Sequence, residues 1–413
     1  MSDGDVVPCG QEHGRARAVP LTRLPRPAHR SRVRDRSRRR PASALVTTRY
    51  DADRDEYRAA LAEIGAPRYR LDQIWDALYR QRAPLEDASS APKALRARLA
   101  HRFPLALTEL ARAEGDAGMT VKWLWGAGEG AEVETVLMRS PTRATVCVSS
   151  QAGCAMGCTF CATGQAGFER HLDRGEIVEQ VLRAQHAAAQ PVGNVVFMGM
   201  GEPLANYDAT WTAVERLHRD LGLSARRITI STVGIVPGMR RLARERLPVT
   251  LAVSLHAPDD TLRDTIVPVN RRYPLTEVLD AAAELAAARG RRVTFEYACI
   301  AGVNDAPAQA VALAHLLRPL GALGAHVNLI PLNATTGYPG RPTDRRRLQV
   351  FASVLRERGV NTTVRRTRGG DIDAACGQLR NRHASPAAPG GSALPPPAPS
   401  PSATMAPWTT FAG

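Results

Sequence analysis

The chain has 413 residues, a formal net charge of +15 and 44% hydrophobic residues. This length is enough for a large domain and a smaller companion, and the hydrophobic content is ordinary for a globular core. The sequence has no apolar run near the roughly 18 residues that a membrane-spanning helix needs, and its N-terminus lacks the apolar core of a signal peptide. We therefore expect a cytoplasmic protein that uses no membrane.

The basic charge favours an anionic partner such as nucleic acid, but it is weak evidence by itself. Lys93 and Lys122 are the only lysines among 55 basic residues, and alanine is abundant. High-GC coding produces this bias towards arginine and alanine whatever the function. The sign of the net charge therefore does not decide between classes of partner.

The two ends of the chain are predicted to be disordered. Residues 1–48 form a basic arm, and its run R-S-R-V-R-D-R-S-R-R-R-P carries like charges that stay solvated. This arm either contacts RNA phosphates nonspecifically or has no role, and its composition favours neither. Residues 383–413 form a tail rich in proline and alanine.

Residues 49–115 are predicted to form a small helical accessory domain. Apolar residues recur there at helical spacing, which predicts helices at 53–65, 71–82 and 91–103. The spacing places Trp75 and Tyr79 in a core. The arginines on the outer faces leave open whether the domain only packs or docks RNA.

Residues 116–382 are predicted to form a parallel α/β core. Two strands at 120–125 and 132–138 come first. Six short apolar strands then alternate with longer helices; the strands are predicted at 144–149, 194–198, 227–231, 249–254, 293–299 and 326–330. The main helices are predicted at 174–189, 208–221, 275–288 and 307–320. We expect the functional side chains at the carboxyl ends of these strands.

One short loop carries most of the chemistry. Cys154, Cys158 and Cys161 follow the spacing C-x3-C-x2-C, and Cys147 lies seven residues upstream. Three such thiolates can hold three irons of a four-iron, four-sulfur cluster and leave the fourth iron open to a substrate. Structural zinc usually takes four ligands in paired spacings, and a disulfide set suits a secreted protein. The spacing therefore favours the cluster.

This cysteine run, with Phe160 before its last cysteine, resembles the radical S-adenosylmethionine superfamily. The resemblance implies a partial (β/α)6 barrel, one [4Fe-4S] cluster on the three cysteines, and S-adenosylmethionine on the open iron. It assigns the methionine amine to Gly201 and Glu202 of G-M-G-E-P, and the rest of the cofactor to Ser231, Ser254, Leu255, His256 and Asn333. Each residue alone is more often structural, but their joint placement at strand ends favours a ligand pocket.

Five motifs narrow the resemblance to the RNA adenine methyltransferases of the RlmN/Cfr type: V-E-T-V, C-V-S-S-Q-A-G-C, G-M-G-E-P, S-L-H-A-P and G-D-I-D-A-A-C-G-Q-L. The resemblance implies methylation of carbon 2 of an adenine with two S-adenosylmethionine molecules per turnover. One molecule methylates Cys376, and the other activates that methyl group. Cys147 then forms a transient disulfide with Cys376, and Glu134 matches the proposed proton acceptor. Cys299 has no such match, and we expect it in the core.

The same resemblance implies the partners. They are 23S rRNA before the ribosome is fully assembled, tRNA, and an electron donor such as flavodoxin or ferredoxin. The related carbon-8 methyltransferase uses the same cysteines and stays an alternative. A non-catalytic RNA-binding protein with a structural cluster or zinc is the alternative from another class, but such a protein needs neither Cys147 nor Cys376.

Overall fold

The computed structural model describes residues 47–365 and 367–379. Apart from residues 47 and 48, the predicted basic arm lies outside the described residues, and so does the predicted tail. Within the described part the helices are, in chain order, α1 (Arg54–Glu63), α2 (Arg70–Trp75), α3 (Lys93–Arg102), α4 (Ala162–Ala166), α5 (Arg174–Ala187), α6 (Tyr207–Arg219), α7 (Val236–Arg244), α8 (Asp260–Ile266), α9 (Leu275–Arg289), α10 (Pro307–Leu316) and α11 (Arg345–Glu357).

The strands described by the structure are β1 (Thr108–Gly115), β2 (Thr120–Gly126), β3 (Glu132–Ser140), β4 (Arg143–Cys147), β5 (Gln151–Gly153), β6 (Phe168–His171), β7 (Val192–Phe197), β8 (Ile228–Thr232), β9 (Thr250–Ser254), β10 (Val293–Cys299), β11 (Ala325–Pro331) and β12 (Asn361–Val364). Ten of them form one sheet in the order β1-β2-β3-β4-β7-β8-β9-β10-β11-β12. Strands β5 and β6 form a separate antiparallel pair.

The pairing of the strands changes from antiparallel to parallel at β4. Strands β1 to β4 pair antiparallel with one another, whereas β4, β7, β8, β9, β10, β11 and β12 pair parallel. All six predicted strands of the parallel part are present, and the α/β fold class is confirmed. The sheet also holds β12, a seventh parallel strand. Its four residues N-T-T-V are too short and too polar to give a strand pattern.

The helices α1, α2 and α3 confirm the three predicted helical segments. Asp53 begins α1 as a capping box, because its side chain accepts hydrogen bonds from the backbone N–H groups of Asp55 and Glu56 while Glu56 accepts one from the backbone of Asp53. After Trp75, α2 continues as one π-helical turn to Arg80. The helical segment therefore continues to Arg80.

The prediction that residues 49–115 are helical is wrong for their last part. Residues 108–115 form β1, which pairs with β2 along its length. The side chains of β1 are mostly exposed or half-buried, and three of its eight residues are charged. An edge strand of this kind shows little apolar alternation, so the sequence pattern missed it.

The three N-terminal helices share one hydrophobic core with the sheet. Trp75 and Tyr79 are buried in that core, as predicted. Arg216 of α6 is only 2% exposed and donates hydrogen bonds to the carbonyl of Ala52 at 3.0 Å and to the hydroxyl of Tyr79 at 2.8 Å. Through these contacts α6 fixes the helical segment against the parallel part of the fold.

Candidate active site

The three-cysteine loop lies between β5 and α4. The backbone is tightly packed where the loop begins, because a Cβ atom on Gly153 (φ +70°) would lie 2.0 Å from the carbonyl oxygen of Gly167. The backbone N–H of Cys154 donates to that same carbonyl at 2.7 Å. Inside the loop the N–H of Cys161 donates to the carbonyl of Cys158 at 3.1 Å. The loop is therefore held by its own backbone.

The three thiols of this loop lie close enough to influence one another. Burial raises the pKa of Cys154 to about 12 and that of Cys158 well above its ordinary value, and charge on neighbouring loop cysteines raises both further. Clustered cationic iron favours the thiolate over the thiol and removes this penalty. Among the described residues no three His, Cys, Asp or Glu side chains converge on a position for a single metal ion. Three thiols in one loop are a donor set that fits a [4Fe-4S] cluster, with one thiolate on each of three irons.

A cavity opens at the carboxyl ends of the parallel strands, beside this loop. Most of the residues predicted from the sequence line it: Cys158, Cys161, Gly201, Glu202, Ser231, Ser254, His256, Asn333 and Cys376. Four predicted residues do not line it. They are Cys154, Leu255, Cys147 and Glu134. Leu255 is fully buried, and its N–H donates to the carbonyl of Glu296 at 3.0 Å.

Glu202 belongs to the turn after β7. Gly201 must be glycine, because its φ is +95° and a Cβ atom would lie 2.5 Å from the Cβ of Gln151. The Glu202 carboxylate accepts hydrogen bonds from the N–H groups of Leu204 at 3.0 Å and Val233 at 2.9 Å. Burial nevertheless raises its pKa to about 7. A cationic group placed in the cavity would stabilise its charged form.

His256 follows β9 with a left-handed backbone (φ +63°). Its Nδ1 accepts a hydrogen bond from the N–H of Ala298 at 3.0 Å, which assigns the ring proton to Nε2. Burial lowers its pKa to about 3, so the ring is neutral at physiological pH. Its edge-to-face contact with Phe160, at 4.9 Å between ring centroids, joins the strand end to the cysteine loop.

Two further thiols lie outside the loop. Cys147, at the end of β4, is buried, and burial raises its pKa to about 12, with the charge of Cys376 as the next cause. Cys376 is exposed by surface area, but it lines the cavity, where the surrounding protein raises the pKa of its thiol. The positive charge of Arg365 opposes this rise in pKa for both thiols. The structure therefore brings the two predicted thiols beside one cation.

Hydrogen bonds dock the segment that carries Cys376. On one side, the N–H of Ala162 in α4 donates to the carbonyl of Gly377 at 2.8 Å, and the side chain of Asn333 donates to the carbonyl of Cys376 at 2.9 Å. On the other side, the N–H of Gly369 donates to Asp116 at 2.8 Å. The N–H of Asp116 donates in turn to Asp371 at 3.1 Å. The segment spans from the cysteine loop to the end of β1.

Comparison with known proteins agrees with this arrangement. The Radical SAM superfamily profile matches residues 148–314. "Probable dual-specificity RNA methyltransferase RlmN" from Parafrankia sp. (strain EAN1pec) is 53% identical over 80% of this chain and 90% of its own length. The protein of the same name from Chloroflexus aurantiacus is 49% identical over 82% of this chain and 93% of its own length. This chain belongs to the RlmN family of radical S-adenosylmethionine methyltransferases.

A solved structure supports the same family. The radical SAM methyltransferase from Sphaerobacter thermophilus is 50% identical, with a TM-score of 0.77 over 81% of this chain and 99% of that chain. Membership of the radical SAM superfamily implies a [4Fe-4S] cluster and S-adenosylmethionine as cofactors. Within the described residues no helix is long and apolar enough to cross a membrane.

Glu134 lies on β3 of this RlmN-family fold. It is 2% exposed, and its carboxylate pairs with the Nζ of Lys122 at 3.3 Å. Val136, two residues along the same strand, pairs directly with Cys147. Because the strand period is two, Glu134 shares the face of the sheet that bears Cys147. Its role as proton acceptor stays a prediction.

Sequence analysis missed two charged groups of the site. Glu296, in the middle of the apolar strand β10, lines the cavity with Arg365 and lies 3.6 Å from it. The side chain of Asn328 donates to Glu296 at 2.9 Å, and burial raises the pKa of Glu296. A glutamate inside an otherwise apolar strand was the available signal. Cys299, at the end of the same strand, is buried in the core as predicted.

Proposed function

We propose that this chain methylates carbon 2 of an adenine in RNA, with 23S rRNA and tRNA as substrates. The observation that carries methyl transfer through a cysteine is the presence of two thiols, Cys147 and Cys376, beside the three-cysteine loop; the preference for carbon 2 over carbon 8 rests on the resemblance. A cluster with a purely structural role needs neither thiol. The relatives are named as dual-specificity RNA methyltransferases, which supports RNA as substrate and more than one kind of RNA.

Cys154, Cys158 and Cys161 would hold the cluster, and the cavity at the strand ends would hold S-adenosylmethionine. When bound there, these groups supply the transferred methyl group and the hydrogen abstraction that makes it reactive. Carbon 2 of adenine is electron-poor and is a poor nucleophile, so simple transfer of a methyl cation to it is disfavoured. The protein therefore needs a group of its own to carry the carbon.

We assign that task to Cys376. Its thiolate takes the methyl group from one S-adenosylmethionine, and a second molecule is consumed to activate it, which gives two per turnover. The carbon on the Cys376 sulfur then bonds to carbon 2 of the adenine, so that protein and RNA are joined covalently. Arg365 holds positive charge beside this sulfur and favours the thiolate needed for the first step.

Glu134 and Cys147 release the product. Glu134 takes the proton from carbon 2 of the adduct, and the unpaired electron that the hydrogen abstraction leaves on the adduct would be taken up by the cluster held by Cys154, Cys158 and Cys161. The Cys147 thiolate then attacks the Cys376 sulfur, an S–S bond forms and the carbon–sulfur bond breaks, and the released carbon takes up a proton to become the methyl group. A reductant must reopen this disulfide before the next turnover. We propose a cytoplasmic location, where flavodoxin or ferredoxin supplies electrons and thiol pools stay reduced.

Labelled methyl transfer tests the proposal. Anaerobically reconstituted protein is mixed with methyl-labelled S-adenosylmethionine, a reductant and RNA that lacks the modification, and the digested nucleosides are identified by mass spectrometry. We expect label in 2-methyladenosine from both rRNA and tRNA. Label in 8-methyladenosine would assign the chain to the alternative carbon-8 reaction, and no labelled nucleoside from protein with an intact cluster would refute the RNA proposal.

Two cysteine variants separate the roles of the thiols. Cys376→Ala should abolish turnover and leave iron content unchanged, since the carrier is lost and the loop is intact. Cys147→Ala should leave the first methyl transfer intact and accumulate a covalent protein–RNA adduct, visible by gel electrophoresis and mass spectrometry. Loss of iron in Cys376→Ala would show that this residue supports the cluster instead.

A further inference from the structure

Lys122 is one of two lysines in a chain that otherwise uses arginine. It lies on β2 and pairs directly with Val136 on β3, which pairs in turn with Cys147 on β4. Side chains directly opposite each other in antiparallel strands lie on the same face of a sheet. Lys122 therefore shares one face with Cys147 and, by the strand period, with Glu134.

The ammonium group of Lys122 contacts two parts of the site. Its Nζ lies 3.3 Å from the Oε1 of Glu134 and donates a hydrogen bond to the carbonyl of Asp373 at 3.2 Å. The side chain of Glu134 is 2% exposed and that of Lys122 is 14% exposed. A buried carboxylate needs a compensating charge, and Lys122 supplies one.

Asp373 lies three residues before Cys376 and has a left-handed backbone (φ 52°). A non-glycine residue in this conformation is held there by its surroundings. The hydrogen bond from Lys122 to its carbonyl is one such contact and joins this turn to Lys122, while separate hydrogen bonds to Ala162, Asn333 and Asp116 dock the segment itself. The compact ammonium has three donors on one atom and can satisfy both partners at once.

We propose that Lys122 is a positioning residue that holds the Glu134 carboxylate in place and fixes it relative to the docked Cys376 segment. This inference rests on the proposed function, because it takes Glu134 as the group that removes the carbon-2 proton. Lys122 itself touches no reacting atom. It holds the base at a constant distance from the sulfur that carries the adduct.

The test uses Lys122→Met, which keeps the length of the side chain and removes its charge. A positioned general base contributes about 10²–10⁴-fold to rate, so we expect kcat to fall about tenfold or more while the KM for RNA changes little. Methylation of Cys376, which needs no base at Glu134, should persist by mass spectrometry. The protein–RNA adduct should accumulate, as it should in Glu134→Gln.

The matched control is Asp371→Ala, which removes the acceptor for the Asp116 N–H and loosens the same segment without touching Glu134. We expect this variant to lose Cys376 methylation and to accumulate no adduct.

If Lys122→Met behaves like Asp371→Ala, Lys122 acts only by docking the segment and the proposal fails. Unchanged turnover in Lys122→Met also overturns it. If Lys122→Met does not retain its iron and melting temperature, Lys122→Gln, which can still donate to Asp373, takes its place with the same expected results. Wild-type protein that methylates no adenosine would instead refute the proposed function itself.

Discussion

Some buried charges in this fold are compensated by backbone groups. Arg263, which is fully buried, donates to the carbonyls of Val233, Ser254 and Leu255 at 2.7 to 2.9 Å. It thereby fixes the ends of two strands that line the cavity. Glu202 and Glu179 accept from backbone N–H groups in the same way, and burial still raises the pKa of each to about 7. Such groups make stability depend on pH.

Glu179 of α5 gives a pH prediction away from the cysteines. Its carboxyl accepts from the N–H groups of Ala106 at 2.8 Å and Leu107 at 3.2 Å, and burial raises its pKa from 4.5 to about 7. Between these two values the folded state holds a proton that the unfolded state has lost, so the contribution of Glu179 to stability falls as pH rises through this window. Unfolding measured from pH 5 to 8 should lose up to about 3 kcal/mol from this group.

The variant Glu179→Gln checks that prediction. It keeps one acceptor oxygen and cannot titrate, so its unfolding free energy should fall less between pH 5 and 8 than that of the wild type. The comparison is made by denaturant titration at each pH. Parallel pH curves for the two proteins would contradict the assignment.

At the scale of elements, the turns after the parallel strands set the shape of the site. The turn after β7 lets the backbone of Gly201 approach Gln151, and the side chain of Gln151 in turn accepts from the N–H of Glu202 at 2.7 Å. The turn after β9 gives His256 its left-handed backbone. Each turn is built by contacts with the cysteine loop or its flanking hairpin.

Gly201→Ala tests this dependence. The added Cβ atom meets Gln151 at 2.5 Å, and the backbone conformation disfavours alanine, so we expect a stability loss of about 1–3 kcal/mol and weaker binding of S-adenosylmethionine to reconstituted protein. The control is Gly222→Ala, which has a similar φ of +76° and no atom within 4 Å of the new Cβ. That variant should lose about 1 kcal/mol of stability and bind the cofactor normally. Equal binding by both variants would show that the turn does not shape the cavity.

The sequence predicted the elements and site residues that local pattern can reveal. The cysteine loop, Glu202, Ser231, Ser254 and His256 could be found because each follows an apolar strand, and parallel strands end at one edge of a sheet. The pairs that complete the site could not be found in this way. Arg365 meets Glu296, and Lys122 meets Glu134, only after strands distant in sequence are paired. Local spacing carries no information on such contacts.

At the scale of the whole molecule, the helices before the sheet are fixed to the parallel part through buried polar contacts. Arg216 pairs with Asp220 at 3.0 Å inside α6, and both residues are buried. The same guanidinium lies over the ring of Trp75 at 5.1 Å. We infer that the helical segment unfolds together with the core and has no separate transition.

Arg216→Met tests this inference. Breaking this buried ion pair leaves Asp220 with only the exposed Arg219 at 3.5 Å and should cost about 3–5 kcal/mol, and the thermal transition should stay single. Arg241→Met is the control, since Arg241 pairs with Asp208 at 2.6 Å at an exposed site, where such pairs contribute about 0–1 kcal/mol. Calorimetry that resolved a separate early transition for residues 49–103 would contradict a shared cooperative unit.

The positions of Cys147 and Cys376 have a thermodynamic consequence. Cys147 ends the first parallel strand, and Cys376 follows the last one. A disulfide between them closes a loop of roughly 230 residues, and such a cross-link removes chain entropy from the unfolded state worth about 5 kcal/mol. Each turnover would therefore leave the protein in a covalent form that resists unfolding more than the active dithiol does. In the proposed mechanism, the reductant that reopens the disulfide would return the enzyme to its less stable state.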